Sequence, residues 1–459
     1  MTDTVPVFTL SHYIYMITIA LVLFLMVRKK DVVIVCLIGL TLITVSYTGS
    51  VITGIQALFS SLLTAGKDLF DIMLVISIMV AMLKSLDSTG ASEKMFAPVK
   101  KMIKNPLQAY FLLGAAAYIS ASFFWPTPAT ALVGPLLIPV CVQVGLPAMA
   151  AAMAFNIFGH GMGLSGDLII QGAIKLSANS SGVDIGSMFT TSAILSLTCG
   201  IVAGIVGYIM MRKEIKAAPK FEPVEAPETD VPKKDQPYAV LFAILTPLAF
   251  FAAAGAMIAF KIRGGDATAL IGGTGVLMLI ISSIVSDKRN CFEKSVGYLR
   301  EGFMFGIKVF SPVIPIAAFF YLGGVSSDEI LGEGAPQLMF DIGQRIYTSL
   351  PLGKIPLAFG NTLIGMIAGL EGSGFVGLPL TGSMAAAFGS SVGANIAPLA
   401  GVGQMGSIWS GGGTLVPWSF GLAATAGIAG VSPVELARKN FIPVCCGLFA
   451  STVAGIFMM

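Results

Sequence analysis

Apolar residues fill this chain in runs of membrane-spanning length, and short polar stretches separate the runs. About 20 apolar residues cross the hydrocarbon core of a bilayer as a helix. Runs of this kind occur near residues 11–27, 32–56, 69–85, 238–260, 268–286 and 303–324. Two further runs, 148–178 and 394–430, are interrupted by glycine and hydroxyl residues. The pattern predicts an all-α polytopic membrane protein in which two helices are broken.

The two interruptions are the first candidates for a binding site. Residues 159–167 read GHGMGLSGD, and residues 405–414 read MGSIWSGGGT. Glycine destabilises a helix interior by about 1 kcal/mol relative to alanine. Backbone groups freed at membrane depth must be satisfied by protein or by a water-filled cavity. We therefore predict that the breaks bind a solute or ion, through Gly163, Ser165, Gly166, Asp167, Ser410, Gly411 and Thr414.

Two chemistries fit these breaks, and one simpler explanation competes with both. Helix N-termini present N–H groups to an anion, whereas hydroxyls and freed carbonyls suit a hard cation such as Na⁺. His160, inside the first break, can exchange a proton or act as a structural hydrogen-bonding group. The simpler explanation is close helix packing, because small residues are common where membrane helices cross. The high density of glycine at two matching positions favours a binding site over helix packing alone.

Two helix pairs, 107–146 and 355–390, turn at sequences that suit tips inside the membrane. The first turn carries Thr127, Thr130 and two prolines, Pro126 and Pro128, which cannot donate a backbone hydrogen bond. An ordinary extracellular loop is the alternative. The second turn carries Glu371, Gly372 and Ser373. A carboxylate in such an apolar setting is a functional candidate by default, as a proton carrier or Na⁺ ligand, unless it merely reaches cytoplasmic water.

The order of elements recurs on the two sides of a charged, proline-containing linker, 212–237. Residues 1–211 form the first repeat, with spans in 1–83, an amphipathic stretch at 84–104, the pair 107–146, the broken run 148–178 and a final span at 188–211. Residues 238–459 form the second, with spans in 238–325, an amphipathic stretch at 333–350, the pair 355–390, the broken run 394–430 and a final span at 438–458.

The distribution of basic residues predicts the orientation of these repeats. Lysine and arginine concentrate on the side that holds Arg28, the linker and Lys288. By the positive-inside rule the linker is cytoplasmic and both termini are outside. Each half then has an odd number of passes, so the repeats have inverted topology. Inverted repeats with interrupted helices at matching positions are typical of secondary transporters.

Composition narrows the possible classes of protein. Of the 459 residues, 55% are hydrophobic and 11% charged, against about 25% charged in a soluble domain. Six cysteines without a CxxC pair and two histidines do not predict a metal site. No catalytic motif occurs, so we expect a membrane carrier rather than an enzyme. We expect no cofactor beyond a coupling Na⁺ or H⁺, and the lipid bilayer and a small anionic solute, not nucleic acid, as partners.

The chain resembles the ion transporter superfamily of secondary carriers. That superfamily includes the divalent anion:sodium symporters, the citrate transporters and, more distantly, gluconate and lactate permeases. The stretch PTPAT at 126–130, followed by GPLLIP at 134–139, is similar to the superfamily's first hairpin tip and its downstream Leu-Pro. The stretch LEGSGF at 370–375, followed by Leu378 and Pro379, is similar to the second tip.

The resemblance implies two re-entrant hairpins and two broken helices in a mobile transport domain, with elevator-type alternating access. It also implies a scaffold, 1–83 and 238–325, that forms a homodimer, and connecting arms at 84–104 and 333–350. The implied site residues are Thr127, Thr130, Ser165, Asp167, Glu371, Ser373, Ser410 and Thr414, with Na⁺ near Thr127, Ser165, Ser373 and Ser410.

The expected function is secondary active transport of a small organic anion, a carboxylate, coupled to Na⁺ or H⁺ across a bacterial inner membrane. The alternative is a cation/proton antiporter in which Asp167 and Glu371 exchange Na⁺ for H⁺.

Overall fold

The computed structural model describes residues 7–28, 30–218, 238–262, 265–323, 327–339, 341–342, 345, 353–417 and 419–459. All regular secondary structure in these ranges is helical. Seven of the described helices are long and apolar enough to cross a membrane, and the count reaches eight if the bent pair Cys291–Lys308 and Val313–Tyr321 forms one span. The prediction of an all-α polytopic membrane protein is confirmed.

The first half of the chain contains the helices Leu10–Val27, Val33–Thr48, Val51–Ser88, Ala91–Met102, Pro106–Phe124, Pro126–Gln143, Ala148–Phe155, Gly172–Ser181 and Ile185–Ala217. The helix that begins at Ala148 continues through wide π-helical turns at Asn156–Gly163 and ends with the single turn Leu164–Gly166. Helix 148–166 and Gly172–Ser181 together are called the first broken helix.

The second half contains the helices Ala239–Ala259, Gly265–Ser286, Cys291–Phe310, Val313–Tyr321, Ser327–Leu331, Lys354–Ala368, Gly377–Ser391, Ile396–Gly411, Phe420–Ala429 and Pro433–Met458. Ile396–Gly411 and Phe420–Ala429 are called the second broken helix. Pro106–Phe124 with Pro126–Gln143 is hairpin 1, and Lys354–Ala368 with Gly377–Ser391 is hairpin 2. Hairpin 2, the second broken helix and Pro433–Met458 follow one another in the same order as hairpin 1, the first broken helix and Ile185–Ala217.

Two of the predicted apolar runs have the wrong boundaries. The predicted run 32–56 is cut at Gly49, whose φ of 70° places it in the left-handed region that ends a helix. Ser50 then caps the next helix by accepting the N–H of Thr53 at 3.2 Å. That helix, Val51–Ser88, includes the whole predicted run 69–85 and the first residues of the predicted amphipathic stretch. The predicted run 303–324 is bent by 45° in the structure.

The linker and the second amphipathic stretch lie largely outside the described residues. The helix Ile185–Ala217 extends past the predicted start of the linker at 212, and residues 219–237 are not described. In the stretch 333–350, the described residues are 333–339, 341–342 and 345.

The buried apolar residues form two cores. The first is built mainly from helices within 10–88 and 239–331, which we call the scaffold group, and the hairpin tips join it through Trp125 and Phe375. The second is built mainly from helices within 106–217 and 354–458, which we call the crossed-helix group. Val51–Ser88 packs against Gly265–Ser286 in the first group. The hairpin tips therefore lie where the crossed-helix group meets the scaffold group.

Candidate functional site

The two broken helices cross close to their breaks. The indole Nε1–H of Trp409 donates to Ser165 Oγ at 2.9 Å, and Gln404 Nε2 donates to the Ser165 carbonyl at 2.8 Å. The Trp409 ring is fully buried and lies on Gly161, where a Cβ would stand 2.3 Å from a ring carbon. The structure thus brings the first predicted break into direct contact with the second.

Asp167 closes the first break by capping the helix that follows it. The residue adopts a left-handed φ of 42°, which reverses the chain after helix 148–166. Its carboxylate accepts the N–H of Ala173 at 2.8 Å and the N–H groups of Gln171 and Gly172. A negative charge at the N-terminus of Gly172–Ser181 stabilises that helix. The chain's own carboxylate therefore occupies one of the helix ends that could otherwise have bound an anion.

Hydroxyl groups of the second break bond to nearby carbonyls. Ser410 Oγ contacts the carbonyl of Met366, in hairpin 2, at 2.9 Å. The Thr414 hydroxyl donates to the Trp409 carbonyl, and the Thr414 carbonyl accepts from Asn440 Nδ2 at 3.0 Å. A hydroxyl that donates its hydrogen still carries lone pairs. The oxygens of Ser410 and Thr414 thus retain the capacity to ligate a cation.

The tips of the two hairpins meet inside the protein. Trp125 is 5% exposed and Phe375 is 1% exposed, and their ring centroids lie 5.2 Å apart. Trp125 has a φ of 69°, a conformation that costs a bulky residue about 1–3 kcal/mol and persists only where packing imposes it. Phe124 also packs on Phe250 of the scaffold group, with centroids 5.8 Å apart.

The second tip is held against the second broken helix. Ser407 Oγ donates to the Gly374 carbonyl at 2.8 Å, and Ser373 Oγ accepts the N–H of Phe375 at 3.1 Å. Gly372 turns the chain with a φ of 107°. The backbone of Glu371 ends the short helix Gly369–Glu371, but its side chain lies outside the described part of the structure.

The two predicted threonines of hairpin 1 have different surroundings. Thr130 is fully buried and lies 3.3 Å from Nε2 of His160, in the first break. Thr127 instead lines a cavity of about 550 Å³. The opposite walls of this cavity come from Val51–Ser88 and Ala91–Met102, and they include Lys84 and Ser92. The structure therefore groups Thr130 with the first break, and it places Thr127 at the cavity.

Many of the predicted glycines serve close helix contacts. A Cβ on Gly411 would lie 2.2 Å from the Gly369 carbonyl oxygen. Similarly, a Cβ on Gly163 would lie 2.9 Å from Ala121 Cβ, and one on Gly166 would lie 2.6 Å from Ser196 Oγ. Close helix packing thus explains the glycines at these positions. Any binding of a solute or ion would depend on the polar groups between them.

Sequence reasoning missed three residues that the structure places in this region. Trp409 and Gln404 tie the second broken helix to Ser165, and Asn156 begins the π-helical turns of the first. The sequence signal that could have identified these residues is the presence of polar and indole side chains inside interrupted runs that are otherwise apolar.

One comparison with known proteins finds a relative along the whole chain. No protein-family profile matches the chain. The chain is similar to the "Uncharacterized membrane protein YhfA" of Bacillus subtilis (strain 168), with 39% identity over 459 residues, covering 98% of this chain and 98% of that protein. The similarity therefore extends over both broken helices and both hairpins.

Proposed function

The chain belongs to the same family as the membrane protein YhfA, and we propose that it is a secondary active carrier. It moves a small organic anion, a carboxylate, together with Na⁺ or H⁺. The observation that supports this function best is the meeting of two helix breaks and two buried hairpin tips in one region. Broken helices at membrane depth expose polar backbone, which is the usual construction of a carrier's binding site.

The hairpins are proposed to be re-entrant. A tip that emerged into an aqueous loop would be wetted, whereas Trp125 and Phe375 are almost completely buried against each other. A re-entrant hairpin returns the chain to its own side of the membrane. Each half then has an odd number of passes, which gives inverted repeats with a cytoplasmic linker and both termini outside.

Alternating access is proposed to occur by movement of the crossed-helix group along a dimeric scaffold group. The two apolar cores support this division, because each is built mainly from one group, although residues of the crossed-helix group such as Leu176 and Leu380 also join the first core. Polar links between the groups include the ion pair Lys175 Nζ–Asp71 Oδ2 at 2.6 Å and the bond from Thr268 Oγ1 to the Ile170 carbonyl at 3.4 Å. Links of this kind would exchange during a rigid-body shift of the type seen in domain movements.

The cavity beside Thr127 is proposed to be the cytoplasmic entrance. It opens between the scaffold group and hairpin 1 and extends to the tip of the hairpin. Lys84, at its wall, pairs with Glu301 at 3.2 Å, and both side chains are more than half exposed. An exposed pair of this kind contributes little stability, and the lining also includes the acidic residues Asp87 and Glu93, so charges of both signs lie at the cavity.

The carrier hypothesis is preferred to a cation/proton antiporter. An antiporter without an organic substrate would use Asp167 as an exchanging carboxylate. That carboxylate accepts three backbone N–H groups as a helix cap, so releasing it for each transport cycle would repeatedly uncap the helix.

Uptake into liposomes tests the proposal. The purified protein is reconstituted, a Na⁺ or pH gradient is imposed, and labelled carboxylates are presented. Gradient-dependent accumulation is the expected result. Cation/proton exchange without any organic anion, reported by a pH-sensitive dye, would support the antiporter instead.

A matched pair of variants ties the uptake to the site. Ser410→Ala removes a buried hydroxyl at the second break and should reduce uptake at least tenfold. Ser390→Ala removes an exposed hydroxyl that also bonds to a carbonyl four residues earlier, at 2.8 Å, and should leave uptake unchanged. Equal uptake by the two variants would remove Ser410 from the site.

A further inference from the structure

His160 is enclosed by three separate parts of the crossed-helix group. It lies in the π-helical turns of the first broken helix and is fully buried. Thr130 of hairpin 1 contacts one ring nitrogen. The backbone of the second broken helix covers the ring, because a Cβ on Gly413 or Gly421 would come within 2.8 Å and 2.2 Å of it, respectively. π-Helical turns of this kind occur frequently at functional sites.

The hydrogen bonds around the ring determine which nitrogen carries the hydrogen. Thr130 Oγ1 donates its only hydrogen to the Pro126 carbonyl at 2.7 Å. At its contact with His160 Nε2, 3.3 Å away, the hydroxyl oxygen must therefore accept. Nε2 carries the hydrogen of the neutral imidazole, and Nδ1 carries the basic lone pair. Nδ1 has no hydrogen-bond partner in the described structure.

Asn156 supplies a second set of unpaired groups on the same segment. It is fully buried, and neither its Nδ2 nor its Oδ1 has a partner in the described residues. Asn156 and His160 are four residues apart, a spacing that places side chains on one side of a helix. An unsatisfied buried polar group costs about 1–3 kcal/mol. Three such groups on adjacent turns indicate a site that takes a polar ligand.

The residues that contact the His160 ring are uncharged, and Asp167 is a carboxylate on the elements packed around the segment. Residues in contact with the His160 ring include Thr130, Phe155, Gly413 and Gly421, none of which titrates. The helices Ala148–Phe155, Ile396–Gly411 and Phe420–Ala429, which pack on the segment, contain no titratable residue. The other packed elements contribute Tyr110, Tyr118, Cys141, Asp167, Cys199 and Tyr208.

Charged side chains of the neighbouring long helix lie farther away. Ile185–Ala217 meets the segment at Gly204, whose Cβ position faces Phe158. Arg212, the first charged residue of that helix, is eight positions further on, about 12 Å at 1.5 Å per residue.

We propose that His160 Nδ1 binds the coupling proton and that His160 and Asn156 together bind the carboxylate of the substrate. This assignment rests on the proposed carrier function and names its coupling ion and substrate class. A proton from the bulk solution binds the Nδ1 lone pair, and the resulting N–H and Asn156 Nδ2 donate to one carboxylate. The proton leaves to the opposite solution when the substrate does.

Charge balance explains why the two must travel together. A charge buried alone is expensive, and this applies to an imidazolium without an anion and to an anion without a cation. Together they form a neutral, hydrogen-bonded pair, so each strengthens the binding of the other by the same factor. One proton neutralises one negative charge. The carrier should therefore take a monocarboxylate with one proton, without net charge movement, and should reject a dicarboxylate.

The experiment uses Na⁺-free proteoliposomes with a trapped pH dye, gluconate as the monocarboxylate probe and succinate as the dicarboxylate probe. The wild-type protein should take up one proton per gluconate, independently of an imposed membrane potential. Gluconate affinity should rise about tenfold for each unit decrease in pH over the range in which the imidazole is neutral. Succinate uptake should be at least tenfold lower.

Two matched variants locate the proton site. His160→Gln keeps an N–H that can reach Thr130 but has no basic nitrogen, so gluconate affinity should lose its pH dependence. His12→Gln changes the chain's other histidine, in the scaffold group, and should behave as wild type. Thermal unfolding of both variants checks that they are folded. If His160→Gln does not fold, the proton-to-gluconate ratio of the wild type decides, because a ratio of zero overturns the assignment.

The outcomes separate this assignment from the carrier proposal. Uptake that requires Na⁺, or wild-type pH dependence in His160→Gln, overturns the proton site and leaves the carrier function intact. Failure of the wild-type protein to move either anion under any gradient contradicts the carrier proposal for these substrates and the assignment with it.

Discussion

Replacing Gly411 by alanine tests how closely the second broken helix must approach hairpin 2. Gly411 is the last residue of Ile396–Gly411 and faces the first turn after Lys354–Ala368. An added Cβ would lie 2.2 Å from the Gly369 carbonyl oxygen and 2.7 Å from the Gly374 amide nitrogen. Both neighbours are backbone atoms, so neither can rotate away.

The size of the effect follows from these distances. Non-bonded heavy atoms reach their optimum near 3.5–4.0 Å, so the two helices must separate by about 1 Å. Overpacking costs about 1–3 kcal/mol, and a clash with backbone belongs at the upper end of that range. The higher helix propensity of alanine offsets at most about 1 kcal/mol of this cost. We expect a net loss of about 2 kcal/mol in the free energy of unfolding, together with a severe loss of uptake.

A matched glycine provides the control. Gly427 lies in the helix Phe420–Ala429, and no atom lies within 4 Å of its Cβ position. Gly427→Ala should therefore be neutral or slightly stabilising. Unfolding of both variants by SDS in mixed micelles measures the stability change, and liposome uptake measures function. If Gly411→Ala were as stable and active as Gly427→Ala, close packing at this crossing would not be required.

Three further predictions concern contacts at the breaks. Trp409→Phe and Ser165→Ala should each cost about 0.5–1.5 kcal/mol through the same hydrogen bond, so additive losses in the double variant would contradict their coupling. Asp167→Asn should retain most stability and uptake because an amide oxygen can still cap a helix. Asp167→Ala should lose about 1 kcal/mol of unfolding free energy. Equal losses of unfolding free energy in the two variants would argue against the cap. Lys175→Met should slow uptake by weakening the link to Asp71, and exchanging the two charges should restore the rate if the ion pair itself matters.

The sequence predicted the helical class and the approximate order of the elements because the length of an apolar run can be read directly along the chain. It failed where two helices share one apolar run. Gly49 and Ser50 end one helix and begin the next without any break in hydrophobicity. Glycine and serine are also common inside membrane helices, so their presence alone did not reveal the boundary.

The positions of the helix breaks and of the hairpin turns were more predictable than the contacts between them. Both breaks and both tips were identified from local sequence, and the cap formed by Asp167 was within reach of local reasoning because its partner Ala173 is only six residues away. The bond from Trp409 to Ser165 joins residues 244 positions apart. Local sequence patterns cannot specify a contact at that separation, since it depends on how the helices cross in three dimensions.

The glycines and the polar residues of the breaks have separable roles, and the structure shows how to distinguish them. Glycines such as Gly411 allow backbones to touch, while hydroxyls such as that of Thr414 bond to carbonyls of the breaks. Asn156 and His160 instead keep polar groups that no described residue satisfies. Substituting a glycine should therefore reduce stability and transport together. Substituting Asn156 or His160 should reduce transport while leaving stability unchanged or improved, because an unpaired buried group is removed.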